Sequence, residues 1–157
     1  MDEPRSGRVV SVNVSPGGVP KLPVAEQWVG AMGLADDRHT EPEPMHGGVD
    51  QAVCLYSTEA IARVAADGHT AFPGAFGENL TLEGIEMSSL APGDRLVIGH
   101  GGLQIEMTWN AAPCKTQARW FIDGRFARIS HKTHPEDARW YARVISEGPV
   151  RPGDAVR

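Results

Sequence analysis

The chain has 157 residues, 41% apolar, 22% charged and 6% aromatic, with fifteen Lys and Arg against twenty Asp and Glu for a formal charge of −5. That length and apolar share suit a single domain, 1–157, with a core of its own, and the acidic balance without a Lys/Arg block argues against nucleic acid, since neutralising phosphates takes a basic field. No apolar run approaches the roughly 20 residues of a membrane span, and the polar opening Met1-Asp2-Glu3-Pro4-Arg5 is unlike a secretory signal, so the expectation is a cytoplasmic chain whose two cysteines, Cys54 and Cys114, are reduced.

Eighteen Gly and twelve Pro predict many turns and few long helices. Arg8 to Val14 alternates, which predicts a half-buried strand with Val10, Val12 and Val14 on one face and Ser11 and Asn13 on the other. Pro16-Gly17-Gly18 stops it. Ala52 to Tyr56 is a compact apolar run that reads as a strand buried on both faces. Ser57 is placed to cap a short helix from Thr58, with Ile61, Val64 and Ala65 on its inner face and Gly68 past its end. Asn79 to Leu82 and Arg95 to Ile98 are strand-like. Leu103 to Trp109 alternates most cleanly, with Leu103, Ile105, Met107 and Trp109 on one face. His100-Gly101-Gly102 joins the last two as a hairpin. Trp140 to Ile145 fits a strand better than a helical turn. Pro92-Gly93-Asp94 and Pro152-Gly153-Asp154 each launch a strand, their Asp able to satisfy turn donors. Strands outnumber helices without regular alternation, which favours a turn-rich β barrel over a βαβ fold.

Cys114 follows the best strand, behind Pro113, which fixes an extended approach. Lys115 and Arg119 come next, and nearby positive charge favours thiolate. Such a thiol suits nucleophilic attack or ligation of a soft metal. Cys54, inside an apolar run, reads as core filler. Lys21 stands between Pro20 and Pro23, either a presented cation or a solvated lysine in a Pro-rich turn. His46-Gly47-Gly48 lets backbone approach a ligand beside a histidine, and Glu78-Asn79 puts a carboxylate and an amide at a strand start, equally explained as turn capping. His131 and His134 lack the companions of a zinc site and read as solvated. No phosphate-binding glycine loop or serine elbow is present.

Gly17-Gly18-Val19-Pro20-Lys21, His46-Gly47-Gly48, Gly74-Ala75-Phe76-Gly77-Glu78-Asn79-Leu80-Thr81, Pro92-Gly93-Asp94 and Pro113-Cys114 fall in the order seen in MOSC domains, those named after the C-terminal part of molybdenum cofactor sulfurase. From about Gly7 to Asp154 the chain resembles the small stand-alone bacterial members, similar to the N-hydroxylaminopurine reductases. The resemblance implies a mostly β fold, a closed barrel like the C-terminal domain of pyruvate kinase, with a few short helices. It implies a molybdenum cofactor, molybdenum on a pterin dithiolene, with Cys114 as the metal ligand. Candidates to hold the phosphate and pterin are Lys21, Arg38, His46 and Asn79, and after them Arg128. Many relatives carry an arginine shortly before Pro-Cys, where this chain has Asn110-Ala111-Ala112, and Gly-Asp before Arg-His, where it has Asp36-Asp37.

The activity implied is reduction of N-hydroxylated bases or amines, a small-molecule reaction with His46 as proton donor and electrons from a separate reductase. The alternative is a carrier that takes sulfur from a sulfurtransferase partner as a Cys114 persulfide, or holds cofactor for delivery. A pyridoxal-phosphate desulfurase domain does not fit this length, so pyridoxal phosphate would act only in a partner. Apolar alternation suits a homodimer edge as well as a barrel seam.

Overall fold

The computed structural model describes residues 4–37 and 48–157, and its first strand, β1 (Gly7–Val14), departs from simple alternation. Its pairing shifts register between Val9 and Ser11, so Val10 is an extra residue and the strand changes phase there. Val9 and Val12 therefore share the core face, both fully buried, while Val10 and Val14 are only half-buried. Ser11 and Asn13 on the opposite face are buried too, because a polar layer covers that face: Ser11 Oγ donates to Asn13 Oδ1 at 2.6 Å.

β2 (Leu22–Val24) pairs back on β1, and β3 (Gln27–Gly30) pairs with β4 (Gly33–Leu34) in a small separate sheet. β5 (Val53–Ser57) is buried at every position, as its apolar run predicts. α1 (Thr58–Ala66) starts where Ser57 accepts a hydrogen bond from the Ala60 amide at 3.0 Å, satisfying one of the orphan donors of the first turn. Its buried residues are Ala60, Ile61 and Val64; Ala65 is exposed, the stripe lying one position earlier than expected. β6 (Leu80–Glu83) runs parallel to β5, a pairing that needs a crossover, and α1 lies in it.

β7 (Arg95–Ile98) and β8 (Leu103–Ala111) form the expected hairpin. β8 pairs with β9 (Arg139–Ser146), with a register shift between Met107 and Asn110. The shift overturns the placement of Trp109: Thr108 turns inward, donating to the Asp50 carbonyl at 2.7 Å, and Trp109 is left 44% exposed. β10 (Gly148–Val150) joins β3, and β11 (Ala155–Val156) ends the chain between β1 and β7. The two Pro-Gly-Asp turns behave as expected, Asp94 accepting from the Ala91 amide and Asp154 from the Arg151 amide.

The large sheet runs β11-β7-β8-β9-β5-β6-β1-β2, and β11 also pairs with β1, so the pairings return on themselves. The fold is thus mostly β, with a ring-like sheet around a core that includes Leu55, Leu80, Leu96, Leu103 and Ile105, all fully buried. No described helix is long and apolar enough to cross a membrane.

Candidate functional site

Three loops meet beside β1, β5 and β9. The first leaves β1 through Ser15 to Lys21, the second is Gly74–Asn79 before β6, and the third carries Pro113-Cys114 after β8. Lys21 and Gly74 lock the first two: the Lys21 amide donates to the Gly74 carbonyl at 2.9 Å. Gly74 has φ +89°, and a Cβ there would run into the Lys21 carbonyl.

Lys21 is not solvated. Its side chain is buried, and Nζ contacts both Asp37 oxygens, at 2.6 and 2.7 Å. Asp37 also accepts from Asn79 Nδ2 at 2.7 Å and from the Ser15 amide at 3.0 Å. Asn79 is saturated, since its Oδ1 takes the Cys54 amide at 2.9 Å. Two of the sequence candidates, Lys21 and Asn79, thus meet on one carboxylate that sequence reasoning did not single out. Asp37 is the last described residue before Arg38; Arg38 and His46 lie outside the described residues.

Glu78 is fully buried. Its Oε2 accepts from the Gly74 amide at 3.0 Å and the Thr81 hydroxyl at 3.1 Å, so the turn-capping account holds for that oxygen. Oε1 is buried with no hydrogen-bond partner. Burial pushes the carboxyl above its ordinary range, against the pull of the Gly74 amide and the Arg139 guanidinium. Cys54 of β5 is buried and free, but it stands outside the apolar cluster and within reach of the Arg139, Glu78, Lys21 and Asp37 charges rather than as core filler; burial raises its thiol to about 11, against the pull of Arg139.

Cys114 is a free, half-buried thiol that opens a 3-10 turn, Lys115–Trp120. Its amide donates to Gln117 Oε1 at 2.7 Å, and Sγ lies 2.9 Å from Thr116 Oγ1. Gln117, buried beneath, donates from Nε2 to the Phe76 carbonyl at 3.1 Å. Arg139 reaches the same carbonyl from β9, with Nη1 at 2.6 Å, while Nη2 spans the Ala111 and Ala112 carbonyls, each at 3.4 Å. The guanidinium is buried, and its Nε lacks a partner. Arg119 Nη2 donates to the Val19 carbonyl at 2.8 Å, tying the turn to the first loop, and its guanidinium lies 4.5 Å over the Trp120 ring.

Arg128 belongs elsewhere. It pairs with Asp67 at 2.8 Å and with the buried Asp137 at 2.7 Å, which also binds Arg63. His131 and His134 are half-buried rather than solvated, and His131 Nδ1 has no hydrogen-bond partner. Among the described residues no three His, Cys, Asp or Glu side chains come together as a metal cluster. A hollow of about 380 Å³ walled by Glu59, Arg63, Glu86 and Met87 shares no residue with the Cys114 cluster. Arg139, Gln117 and Asp37 are the site residues that sequence reasoning missed. The one signal was charge next to buried runs: Arg139 directly precedes the alternating Trp140, Ala142 and Val144.

The family model of the MOSC domain matches residues 42–157. Protein YiiM of Escherichia coli (strain K12) is 29% identical over 140 residues, 86% of this chain and 60% of YiiM. The uncharacterized protein YflK of Bacillus subtilis (strain 168) is 30% identical over 116 residues, 69% of this chain and 48% of YflK. The chain therefore spans 60% or less of the length of these curated relatives. Among solved structures, YiiM from Geobacillus stearothermophilus superposes with a TM-score of 0.76 at 27% identity, covering 96% of this chain and 73% of that one. YuaD from Bacillus subtilis, at 16% identity and a TM-score of 0.78 over 96% of this chain and 94% of its own, shares the fold. The motif order from Gly17 to Asp154, the mostly β ring and the family match agree: this chain belongs to the MOSC domain family.

Proposed function

We propose that this chain is a molybdenum-cofactor-binding oxidoreductase that reduces N-hydroxylated bases or amines, with electrons from a partner reductase, and that its ring-like sheet is the closed barrel of its family. The observation that carries the reading is Cys114, a free thiol at a loop tip with its backbone held from below by Gln117. The donor set fits the group: a molybdenum already held by a pterin dithiolene needs one soft thiolate from the protein rather than a cluster of His and carboxylates.

When bound, the cofactor supplies the two-electron redox change. The overall reaction takes up two electrons and two protons, breaks the N–O bond of R–NHOH and releases R–NH2 and water. Cys114 Sγ is the metal ligand, and as a thiolate it accepts a hydrogen bond from the Thr116 hydroxyl. Lys115 and Arg119, both exposed beside it, attract the cofactor phosphate. Lys21 and Asn79 act one step removed: they fix Asp37, at the foot of the segment bearing Arg38 and His46. Within that segment His46 is the proton donor to the leaving water.

The free, half-buried thiol also supports a second reading, a sulfur or cofactor carrier with Cys114 as persulfide or holding thiol. One experiment separates the two. Wild type and Cys114→Ser are purified from a host that makes molybdenum cofactor, molybdenum is measured by mass spectrometry and pterin by fluorescence of its oxidised form. Near-stoichiometric molybdenum lost in the variant supports the oxidoreductase. Pterin without molybdenum supports the carrier, and neither in both proteins overturns the cofactor reading.

A further inference from the structure

We propose that Arg139 is the positioning residue of the Cys114 site: from β9 its buried guanidinium clamps the loop that carries the thiol to the Gly74–Glu78 loop, and so sets where the sulfur stands. The inference rests on the reading of Cys114 as the working thiol. Arg139 acts through backbone carbonyls and not on the sulfur itself.

Residues 110–114 leave β8 as Asn110-Ala111-Ala112-Pro113-Cys114, and Pro113 has no N–H to donate. Nothing in those side chains reaches across to the neighbouring loop. Arg139 stands directly opposite Ala111 in the β8–β9 pairing. From there Nη2 takes the Ala111 and Ala112 carbonyls, at the end of β8 and just past it, and Nη1 the Phe76 carbonyl, so one planar group joins the root of the Cys114 loop to the Gly74–Glu78 loop. The Phe76 carbonyl is shared. Gln117 Nε2 binds it as well, while Gln117 Oε1 holds the Cys114 amide. The path from Arg139 to the backbone of Cys114 therefore crosses one carbonyl and one side-chain amide. The chain lacks an arginine just before Pro113-Cys114, and the guanidinium at this loop comes from the paired strand instead.

The site is built around a charge that water does not reach. Arg139 is 4% exposed, and Glu78, its nearby opposite charge, is 0% exposed. Each keeps one buried atom unpartnered, Nε and Oε1. An unpartnered buried polar atom is unfavourable, and a simple stability role would favour an apolar residue here. A fork reaching three carbonyls on two loops is what an apolar residue cannot supply.

The test uses three variants of the full chain. Arg139→Lys keeps the charge and loses the fork. Arg139→Met with Glu78→Gln removes both buried charges together, so that no uncompensated carboxylate blocks folding. Gln117→Leu cuts the second half of the path and leaves the charges in place, which keeps the test open if either Arg139 variant fails to fold. Arg63→Met, in the Asp137 cluster, which shares no hydrogen bond with the Cys114 loop, is the control for general loss of stability. Two readouts need no cofactor: amide exchange resolved over residues 111–118, and the rate at which iodoacetamide alkylates Cys114 in the native protein. Exchange over 111–118 is expected to rise about tenfold in each site variant, with β7 and β9 protection unchanged, and the alkylation rate to change with it. The lysine is not expected to rescue, and Arg63→Met is expected to move neither readout. If the Arg139 variants or Gln117→Leu leave exchange and alkylation within twofold of wild type, or if Arg63→Met shifts them equally, the positioning role is overturned. Because neither readout involves molybdenum, an absence of bound metal in wild type would sink the proposed activity and leave this result standing.

Discussion

Replacing Lys21 with methionine tests whether the candidate site is held by a buried ion pair or decorated by a solvated lysine. Lys21 and Asp37 have side chains only 6% and 4% exposed, and Nζ sits 2.6 Å from Oδ1. Methionine keeps the length and apolar stem of the lysine but leaves the Asp37 carboxylate facing two neutral donors, Asn79 Nδ2 and the Ser15 amide. Stripping one partner from a buried pair costs about 3–5 kcal/mol, since the remaining charge keeps its desolvation penalty. An exposed pair would contribute only about 0–1 kcal/mol. In a chain of this size each kcal/mol moves the melting temperature by about 2–4 °C, so Lys21→Met is expected to lower it by roughly 6–20 °C. The assay is urea and thermal unfolding of wild type, Lys21→Met, Asp37→Asn and the double variant. The cycle should return a coupling of about 1–3 kcal/mol, with the double variant more stable than the sum of the singles predicts. A Lys21→Met loss below about 1 kcal/mol, or no coupling, would refute the buried-pair argument.

Glu78→Gln tests the buried carboxyl through its pH dependence. Because the folded carboxyl titrates above its ordinary 4.5, its contribution is fully present below that pH and is lost as pH rises through the folded value. The stability of wild type relative to Glu78→Gln, followed by urea unfolding between pH 4 and 8, should therefore fall as pH rises; a flat difference would contradict the assignment. Gly74→Ala should destabilise by about 1–3 kcal/mol, since the added Cβ meets the Lys21 carbonyl at a backbone angle of φ +89° that side chains resist. Unfolding midpoints equal to wild type would show that the two loops are not locked there.

The parts of the fold that were legible in the sequence are those decided by neighbours along the chain. The Ser57 cap, the hairpin through His100-Gly101-Gly102 and the two Pro-Gly-Asp turns depend on a few adjacent residues, and each stands where the pattern puts it. Phase within a strand is a different matter. Val10 and Trp109 were assigned to inner faces by strict alternation, and both lie where a partner strand imposes a register shift. Nothing local announces such a shift. The same division holds at the site. Cys114 was legible because Pro113 and the end of a strand isolate it on a loop. Asp37, Gln117 and Arg139 were not, because each matters through a partner far along the chain: Asp37 through Asn79, Gln117 through Phe76, and Arg139 through Phe76, Ala111 and Ala112.

Where the charges are committed decides what an anion near Cys114 can meet. Lys21 is neutralised by Asp37, Arg139 faces inward onto carbonyls, and Arg128 is shared between Asp67 and Asp137. To offer any of these three to a phosphate, the chain would have to break a buried contact, at a cost comparable to the affinity gained. Lys115 and Arg119 carry no such penalty. Both are exposed on the turn that Cys114 opens, and the hydrogen bond from Arg119 to the Val19 carbonyl fixes its direction without cancelling its charge. The buried ionic groups thus build the platform, and among these described residues the surface cations beside the thiol are the ones left for a ligand. This inverts the order that the family resemblance implies, in which Lys21 is a candidate to hold the phosphate and pterin and Lys115 and Arg119 serve only to favour the thiolate.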